Sequence, residues 1–417
     1  MILGRNDSSS IIQKIESLTG IICPWELNKI ESWTFQVLAH LQGNPLLGIT
    51  SSDELLKARV KKFPGETESR LSATWIGSPS PFFGKKHYKE HGSRIIHNTV
   101  ESRFYLLEDV SIYNFYEFGP IVFDEENNVI EELSTPFYRL VLLEDDFPKR
   151  FEHIVKPVCA LSDRFNEANY AHWLLDSIPR IRGKVLMESE SDEVNYLCHQ
   201  VTSDWQNDML SHFSVAMEKR IQLEPRQLYK FRKIVLPDDF GRAVMHPSNK
   251  TNSSGIAKIT ENLKNCFSES FDILFIERNS NRRLINQDSI VEKLTNNGFR
   301  VKVIDCSRIS FDKQRELFNE ARIVIGVHGA ALASSVFMQR GSFLFELLPQ
   351  SYGNPAFWMV SSAKGVNYVG VTDLTETGEN SRPRLKDIMV NITAIEKINV
   401  ICGNVIKLIG NTTSKKK

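Results

Sequence analysis

Between residues 271 and 347 short apolar runs alternate with helix-period segments, and that alternation leaves few folds open. Apolar stretches at 271–276, 299–304, 323–327 and 342–347 predict strands, and the segments 286–295, 310–321 and 330–337 predict helices. Asn297-Gly298 stops the first helix and Ser310 caps the second. Such a series folds into a parallel sheet with right-handed crossovers, and ligands bind beyond the carboxyl ends of its strands. The strand Ile323-Val-Ile-Gly-Val327 runs into His328-Gly329 and then into small residues that open a helix. A turn of this kind offers backbone N–H groups and the positive end of a helix dipole, which attract phosphate. His328 adds a hydrogen bond or a charge.

Composition excludes several function classes. Lys+Arg and Asp+Glu both number 51, so the net charge is zero and a broad nucleic-acid footprint is not expected. No stretch approaches the roughly 18 consecutive apolar residues of a membrane span. The first ten residues lack the pattern of a secretory signal, so a cytoplasmic location without an integral span is expected. The six cysteines are scattered with no C-x-x-C pair, which fits structural thiols better than a zinc ribbon or disulfide framework. Neither a G-x-G-x-x-G after a strand nor a G-x-x-x-x-G-K-[ST] occurs, which disfavours a dinucleotide oxidoreductase and a P-loop ATPase.

The chain's 417 residues suffice for two domains. Residues 1–95 carry little signal: helices at 8–18 and 53–62 and a turn-rich loop at 77–84. A β-rich stretch follows at 103–130, with a hairpin turning at Asn127-Asn128, and 154–161 reads as a buried strand. The segment Asn169-Tyr-Ala-His-Trp-Leu-Leu-Asp-Ser-Ile-Pro-Arg-Ile181 predicts a helix with His172 and Asp176 on one face. Arg180 extends that row, and Pro179 kinks or ends the helix. Strands at 194–197 and 233–237 and a helix at 206–213 come next. The polar stretch 247–255 marks a domain boundary, and 388–409 ends the chain in a broken helical pattern before a basic tail.

Four constellations could carry chemistry. Arg278, Arg282 and Arg283 follow the end of a predicted strand, where a guanidinium fork fits phosphate oxygens; a solvated basic loop is the plain alternative. His328, Gly329 and Ala330 form the anion-seeking turn. Glu346 ends the strand at 342–347 and could accept hydrogen bonds from a ribose diol, although a carboxylate capping a neighbouring helix explains it as simply. His172 and Asp176 could be a general base with its orienting partner in either sense, or a buried structural pair. A metal half-site is conceivable there, but no third ligand suggests itself.

Taken together these stretches resemble the glycosyltransferase family 61 (DUF563) proteins. The matching residues are 169–180, Glu277-Arg278 through Arg283, Gln314 before Ala321, and Gly326-Val-His-Gly-Ala-Ala-Leu332 with Phe337, Gly341 and Glu346-Leu347. The likeness spans roughly residues 103 to 350. It implies an α/β GT-B architecture, two Rossmann-like domains facing across a cleft, here with a β-containing N-terminal segment. It implies inverting transfer from a nucleotide-diphosphate sugar, UDP-linked as first expectation, to a glycan or polysaccharide acceptor, without an essential metal or other cofactor. The corresponding division is a 1–95 accessory segment, a 96–250 acceptor-side domain, a 251–380 nucleotide-sugar domain and a 381–417 helix with basic tail. Arg278, Arg282, Arg283, His328, Gly329, Ala330 and Glu346 would then hold the donor nucleotide. Asn169 and Arg180 would lie on the acceptor side, and Asp176 is preferred over His172 as the base. Capsule, lipopolysaccharide or glycoprotein glycans are the acceptors the family brings to mind, and a homo-oligomer is left open. Two departures stand out: Ser334 where the family commonly has Asn, and Arg340 where it commonly has Pro before the glycine. The alternatives are a non-catalytic nucleotide- or glycan-binding scaffold on a degenerate transferase fold, and a metal-dependent hydrolase using His172 and Asp176.

Overall fold

The computed structural model describes residues 59–63, 67–79, 88–91, 94–98, 101–114, 119–135, 150–161, 169–187, 193–198, 201–238, 240, 259–260, 262–263, 266–349, 355–377 and 386–414. Within them the chain is mixed α/β, built on two large sheets and two small ones.

The first large sheet is mixed. Its path runs Arg59–Phe63, Ser102–Asn114, Leu228–Pro237, Val158–Ala160, Asn195–Cys198 and Arg220–Gln222. Pro120–Phe123 flanks Ser102–Asn114, and Phe151–Ile154 flanks Leu228–Pro237. The expected hairpin forms: Asp124 N–H donates to the Asn128 carbonyl (2.9 Å), and Phe123 bridges Val129. Asn127 takes φ 66° there, a conformation asparagine tolerates better than most residues. The strand expected at 154–161 is interrupted at 155–157 and forms two pieces. Where the helix expected at 53–62 overlaps the described residues, the chain forms the strand Arg59–Phe63 instead, because pairing along Ser102–Leu106 outweighs local helix propensity, and 53–58 lie outside the described residues. The expectations at 8–18, 80–84, 247–255 and 415–417 lie outside the described residues.

The second large sheet is parallel, in the order Val301–Ile304, Ile273–Ile276, Ile323–Val327, Phe343–Leu347, Asn367–Val371 and Thr74–Ile76. From Ile273–Ile276 the chain steps to one side, then returns and builds outward on the other. The direction of winding therefore reverses between Ile273–Ile276 and Ile323–Val327, and ligands of open α/β sheets bind in the crevice such a reversal leaves. Gln287–Asn296 and Ile392–Ser414 cover one face, with Ile273, Phe275, Ile325 and Val369 in that core. Phe311–Glu320, Ala330–Phe337 and Ala356–Ala363 pack on the other. Ser310 caps its helix as expected, accepting from Lys313 N–H at 3.3 Å. The outer strand Thr74–Ile76 comes from the stretch that carried little sequence signal.

One apolar cluster joins the two sheets, from Phe104 and Val235 through Trp173, Leu174 and Ile178 to Leu274, Val324 and Leu344. Its middle is the helical run at 170–187. The run is not a single α-helix: Tyr170–His172 is α-helical, Trp173–Ser177 widens into a π turn, and Ile178–Met187 tightens to 3₁₀. Pro179 thus neither ends nor simply kinks the helix; the missing N–H falls where the winding changes, and the run rewinds. Gly183 lets it lie close on the mixed sheet, since a Cβ there would come within 2.6 Å of the Phe104 ring.

Candidate functional site

The site is assembled where the parallel sheet reverses. Ile273–Ile276 delivers Glu277-Arg278, and Ile323–Val327 delivers His328-Gly329 beside it. Gly329 is extended (φ 176°), so its backbone asks nothing special of the residue. Sterics do: a Cβ on Gly329 would occupy the place of the Arg278 Nη1 atom. The guanidinium therefore rests on the glycine, next to the first N–H groups of the Ala330–Phe337 helix, which have no partner within the helix. The Arg278 Nε–H donates to the Asn281 carbonyl, which folds the arginine loop back over the turn.

His328 is buried, its backbone N–H bonded to the Leu347 carbonyl (3.0 Å) and its ring 5.1 Å from that of Phe357. Its Nδ1 is hydrogen-bonded to Glu346 Oε1. Glu346 has no exposed surface, and its Oε2 accepts from the Tyr368 hydroxyl at 2.6 Å. This differs from the ribose-binding role expected of Glu346: the carboxylate is sealed in the sheet face and committed to His328 and Tyr368. Burial, then the Glu346 charge and hydrogen bond, push the Tyr368 phenol well above its ordinary range, so it stays a donor.

The other arginines take different places. Arg283 donates to Asp387 from Nε (3.0 Å), Nη2 (2.7 Å) and its backbone N–H (2.8 Å), pinning the loop to the strand Asp387–Val390. These bonds hold the Asp387 carboxyl below the usual range. Its guanidinium is thus paired with Asp387, a partner the sequence reading did not foresee. Arg282 lies between them, half-buried in a left-handed conformation (φ 64°).

Across from the turn stands the 170–187 run. Asn169 caps it, its side-chain oxygen accepting from Ala171 N–H (2.9 Å) and His172 N–H (3.4 Å). His172 Nδ1 meets Asp176 Oδ2 at 2.7 Å. The partners differ in access: the His172 side chain is 23% exposed and that of Asp176 is 0%. Of the two groups only the imidazole has surface open to solvent, whereas Asp176 was the sequence preference for the base. Arg180 is buried with its guanidinium on the Leu161 carbonyl (3.2 Å), so it ties the run to the mixed sheet. The run packs on the Ala330–Phe337 helix, and Tyr170 Oη and Ser334 Oγ share a hydrogen bond of 2.8 Å between the two. The sequence-predicted groups thus converge as His172–Asp176 on one helix and Arg278, His328, Gly329 and Ala330 on the neighbouring turn. Arg180, Arg283 and Glu346 are hydrogen-bonded to the Leu161 carbonyl, to Asp387, and to His328 and Tyr368 respectively.

Sequence reasoning missed Tyr368, Ser334 as a link, and Asp387; only the register of distant strands reveals them. Among the described residues no group of three or more His, Cys, Asp or Glu side chains is placed to hold a metal ion. The described residues also include no helix long and apolar enough to cross a membrane.

The chain is 33% identical over 116 residues to the alpha-1,3-arabinosyltransferase XAT3 of Oryza sativa subsp. japonica, across 24% of this chain and 20% of the relative. It is 27% identical over 130 residues to the xylan glycosyltransferase MUCI21 of Arabidopsis thaliana, across 28% of this chain and 25% of the relative. The matches therefore span about a fifth to a quarter of those relatives' length. The family profile described as Glycosyltransferase 61 matches residues 170–344, from the helix carrying His172 into the strand that carries Glu346. Over that region the chain is similar to glycosyltransferase family 61.

Proposed function

We propose that the chain is an inverting glycosyltransferase that moves a sugar from a nucleotide-diphosphate donor to a glycan hydroxyl. The observation that carries this reading is the seating of Arg278 on Gly329, beside His328, at the point where the parallel sheet reverses. In a GT-B arrangement the parallel-sheet half holds the donor and the mixed-sheet half the acceptor. Arg278, His328 and the N–H groups of Gly329 and Ala330 hold the diphosphate and stabilise the charge that grows as the nucleotide leaves. The His172 imidazole, oriented by Asp176, takes the proton of the acceptor hydroxyl through Nε2. The hydroxyl oxygen attacks the anomeric carbon from the side opposite the diphosphate. The C–O bond to the diphosphate breaks as the new one forms, and the configuration inverts.

Positive charge for the leaving group comes in this reading from side chains and backbone, so transfer proceeds without a resident metal. The names of the relatives make pentosyl donors and xylan-type acceptors the first to try, ahead of capsule or lipopolysaccharide glycans. A screen of UDP-, GDP- and CMP-sugars for hydrolysis, followed by mass spectrometry of products with xylan oligosaccharides, tests the reading. Transfer that survives EDTA is the expected result. Failure of all nucleoside diphosphates to raise Tm, together with no donor turnover, would favour a scaffold instead.

A further inference from the structure

The glycosyltransferase reading leaves three features unused: the burial of Glu346, the Tyr368 hydroxyl on it, and a tryptophan from the N-terminal stretch against that tyrosine. Glu346 stands in a row across the parallel sheet, Ile276–Gly326–Glu346–Gly370–Trp75, paired strand by strand. Paired residues of a parallel sheet point to the same face, so the carboxylate has a glycine on each side. On one side Gly326 leaves room beneath Leu332, in the first turn of the helix after His328. On the other, the Trp75 ring fills the space a Cβ of Gly370 would take and stands edge-on to Tyr368, with centroids 6.2 Å apart. Tyr368 is 1% exposed, and its hydroxyl closes the second carboxylate oxygen. A buried carboxylate is costly unless its oxygens are satisfied, and here the two donors come from His328 and Tyr368.

We infer that Tyr368, wedged by Trp75, is a positioning residue that locks the Glu346 carboxylate so that His328 keeps its Nδ1–H on Glu346 and turns Nε2 toward the donor diphosphate. This rests on the proposed transferase reading for the ligand, but the lock itself does not. An oxygen held by Tyr368 cannot rotate away, so the other oxygen remains the acceptor for the His328 Nδ1–H, and one imidazole tautomer and ring orientation follows. Tyr368 and Trp75 both lie outside the 170–344 family region, so segments beyond it orient the histidine within it.

The test uses the full chain, with Tyr368→Phe chosen because it removes one oxygen and leaves the ring. In histidine-¹⁵N-labelled protein, assigned through His328→Gln, the His328 signals are expected to report the Nδ1–H form in the wild type and a mixture of forms in Tyr368→Phe. Affinity for UDP and GDP, read by calorimetry, is expected to fall about tenfold in Tyr368→Phe, as for loss of a hydrogen bond to a charged group. In the His328→Gln background the same change is expected to cost nothing further, because the effect passes only through the imidazole. Identical His328 signals in wild type and Tyr368→Phe would overturn the lock. So would additive losses in the double variant, the mark of a merely structural tyrosine. Trp75→Leu gives a second handle and is expected to reproduce the tautomer mixing; an unchanged His328 signal in it would remove the wedge from the argument. If the wild type binds neither diphosphate while its His328 signals shift as expected in Tyr368→Phe, the lock stands and the transferase reading fails.

Discussion

Gly329 shows how one missing atom seats a side chain. Its extended backbone would suit any residue, yet a Cβ would displace the Arg278 guanidinium. Gly329→Ala is therefore expected to weaken nucleoside diphosphate binding about as much as Arg278→Ala, roughly tenfold or more, since both lose the fork on the phosphate. Calorimetry with UDP measures it, and wild-type affinity in Gly329→Ala would end the assignment. On the opposite wall the proposed base is His172, the more exposed member of the pair. His172→Ala is expected to cut turnover about 10²- to 10⁴-fold with donor affinity kept, the range for a lost general base. Asp176→Asn should cost less, because the imidazole survives. Transfer kinetics decide it: a larger loss in Asp176→Asn than in His172→Ala would return the base to the carboxylate. The pairing of His172 with Asp176 was legible from spacing alone, but their difference in exposure was not. The Arg283–Asp387 pair was hidden for a related reason: the partners lie 104 residues apart.

At the scale of elements, the parallel series was the most legible part, because strand and helix periods differ and each unit is local in sequence. The mixed sheet was harder. Ser102–Asn114 pairs with Arg59–Phe63 on one side and Leu228–Pro237 on the other, and no local pattern announces such distant neighbours. The contact between the two site elements was equally silent, since the Tyr170–Ser334 bond spans 164 residues. Ser334 is fully buried there, so the family's usual Asn is replaced by a hydroxyl that shares its bond with Tyr170. A Tyr170→Phe, Ser334→Ala cycle is expected to give a coupling of about 1 kcal/mol in urea unfolding, the usual worth of a hydrogen bond, and zero coupling would refute the link. The opposite end of the parallel sheet is held by charge. Burial pushes the Asp272 carboxyl up, but the Arg300 hydrogen bonds (2.9 and 2.7 Å) outweigh it and hold the carboxyl below its ordinary range. A depressed carboxyl contributes stability at neutral pH and loses it as pH falls through its folded value, here below about pH 4. Urea midpoints of wild type and Asp272→Asn should therefore differ at pH 7 and converge toward pH 3; a gap that persists at acid pH would contradict the ion-pair origin.

For the whole molecule, the family region is not a self-sufficient body. Its parallel sheet stops at Leu344 within the strand Phe343–Leu347, whereas the sheet continues through Asn367–Val371 to Thr74–Ile76. The stretch before residue 96, uninformative as sequence because its described strands are only three to five residues long, reaches both large sheets: Arg59–Phe63 edges one and Thr74–Ile76 the other. It also satisfies a buried donor, since the Trp358 indole N–H bonds the Leu71 carbonyl at 3.0 Å. A chain beginning at residue 96 would lose that acceptor, at about 1–3 kcal/mol for a buried unpaired group. It would also expose Tyr368 and Gly370 where Trp75 now packs, and leave an unpaired edge on Asn367–Val371. The 96–417 fragment is therefore expected to melt well below the full chain and to self-associate, as read by calorimetry and light scattering on matched preparations. Its nucleoside diphosphate affinity should fall as well, because the wedge behind Tyr368 is gone while Arg278 and His328 remain. A fragment that stays monomeric with the full chain's Tm and affinity would show that the first 95 residues are an accessory and that the 96–417 body is complete without them.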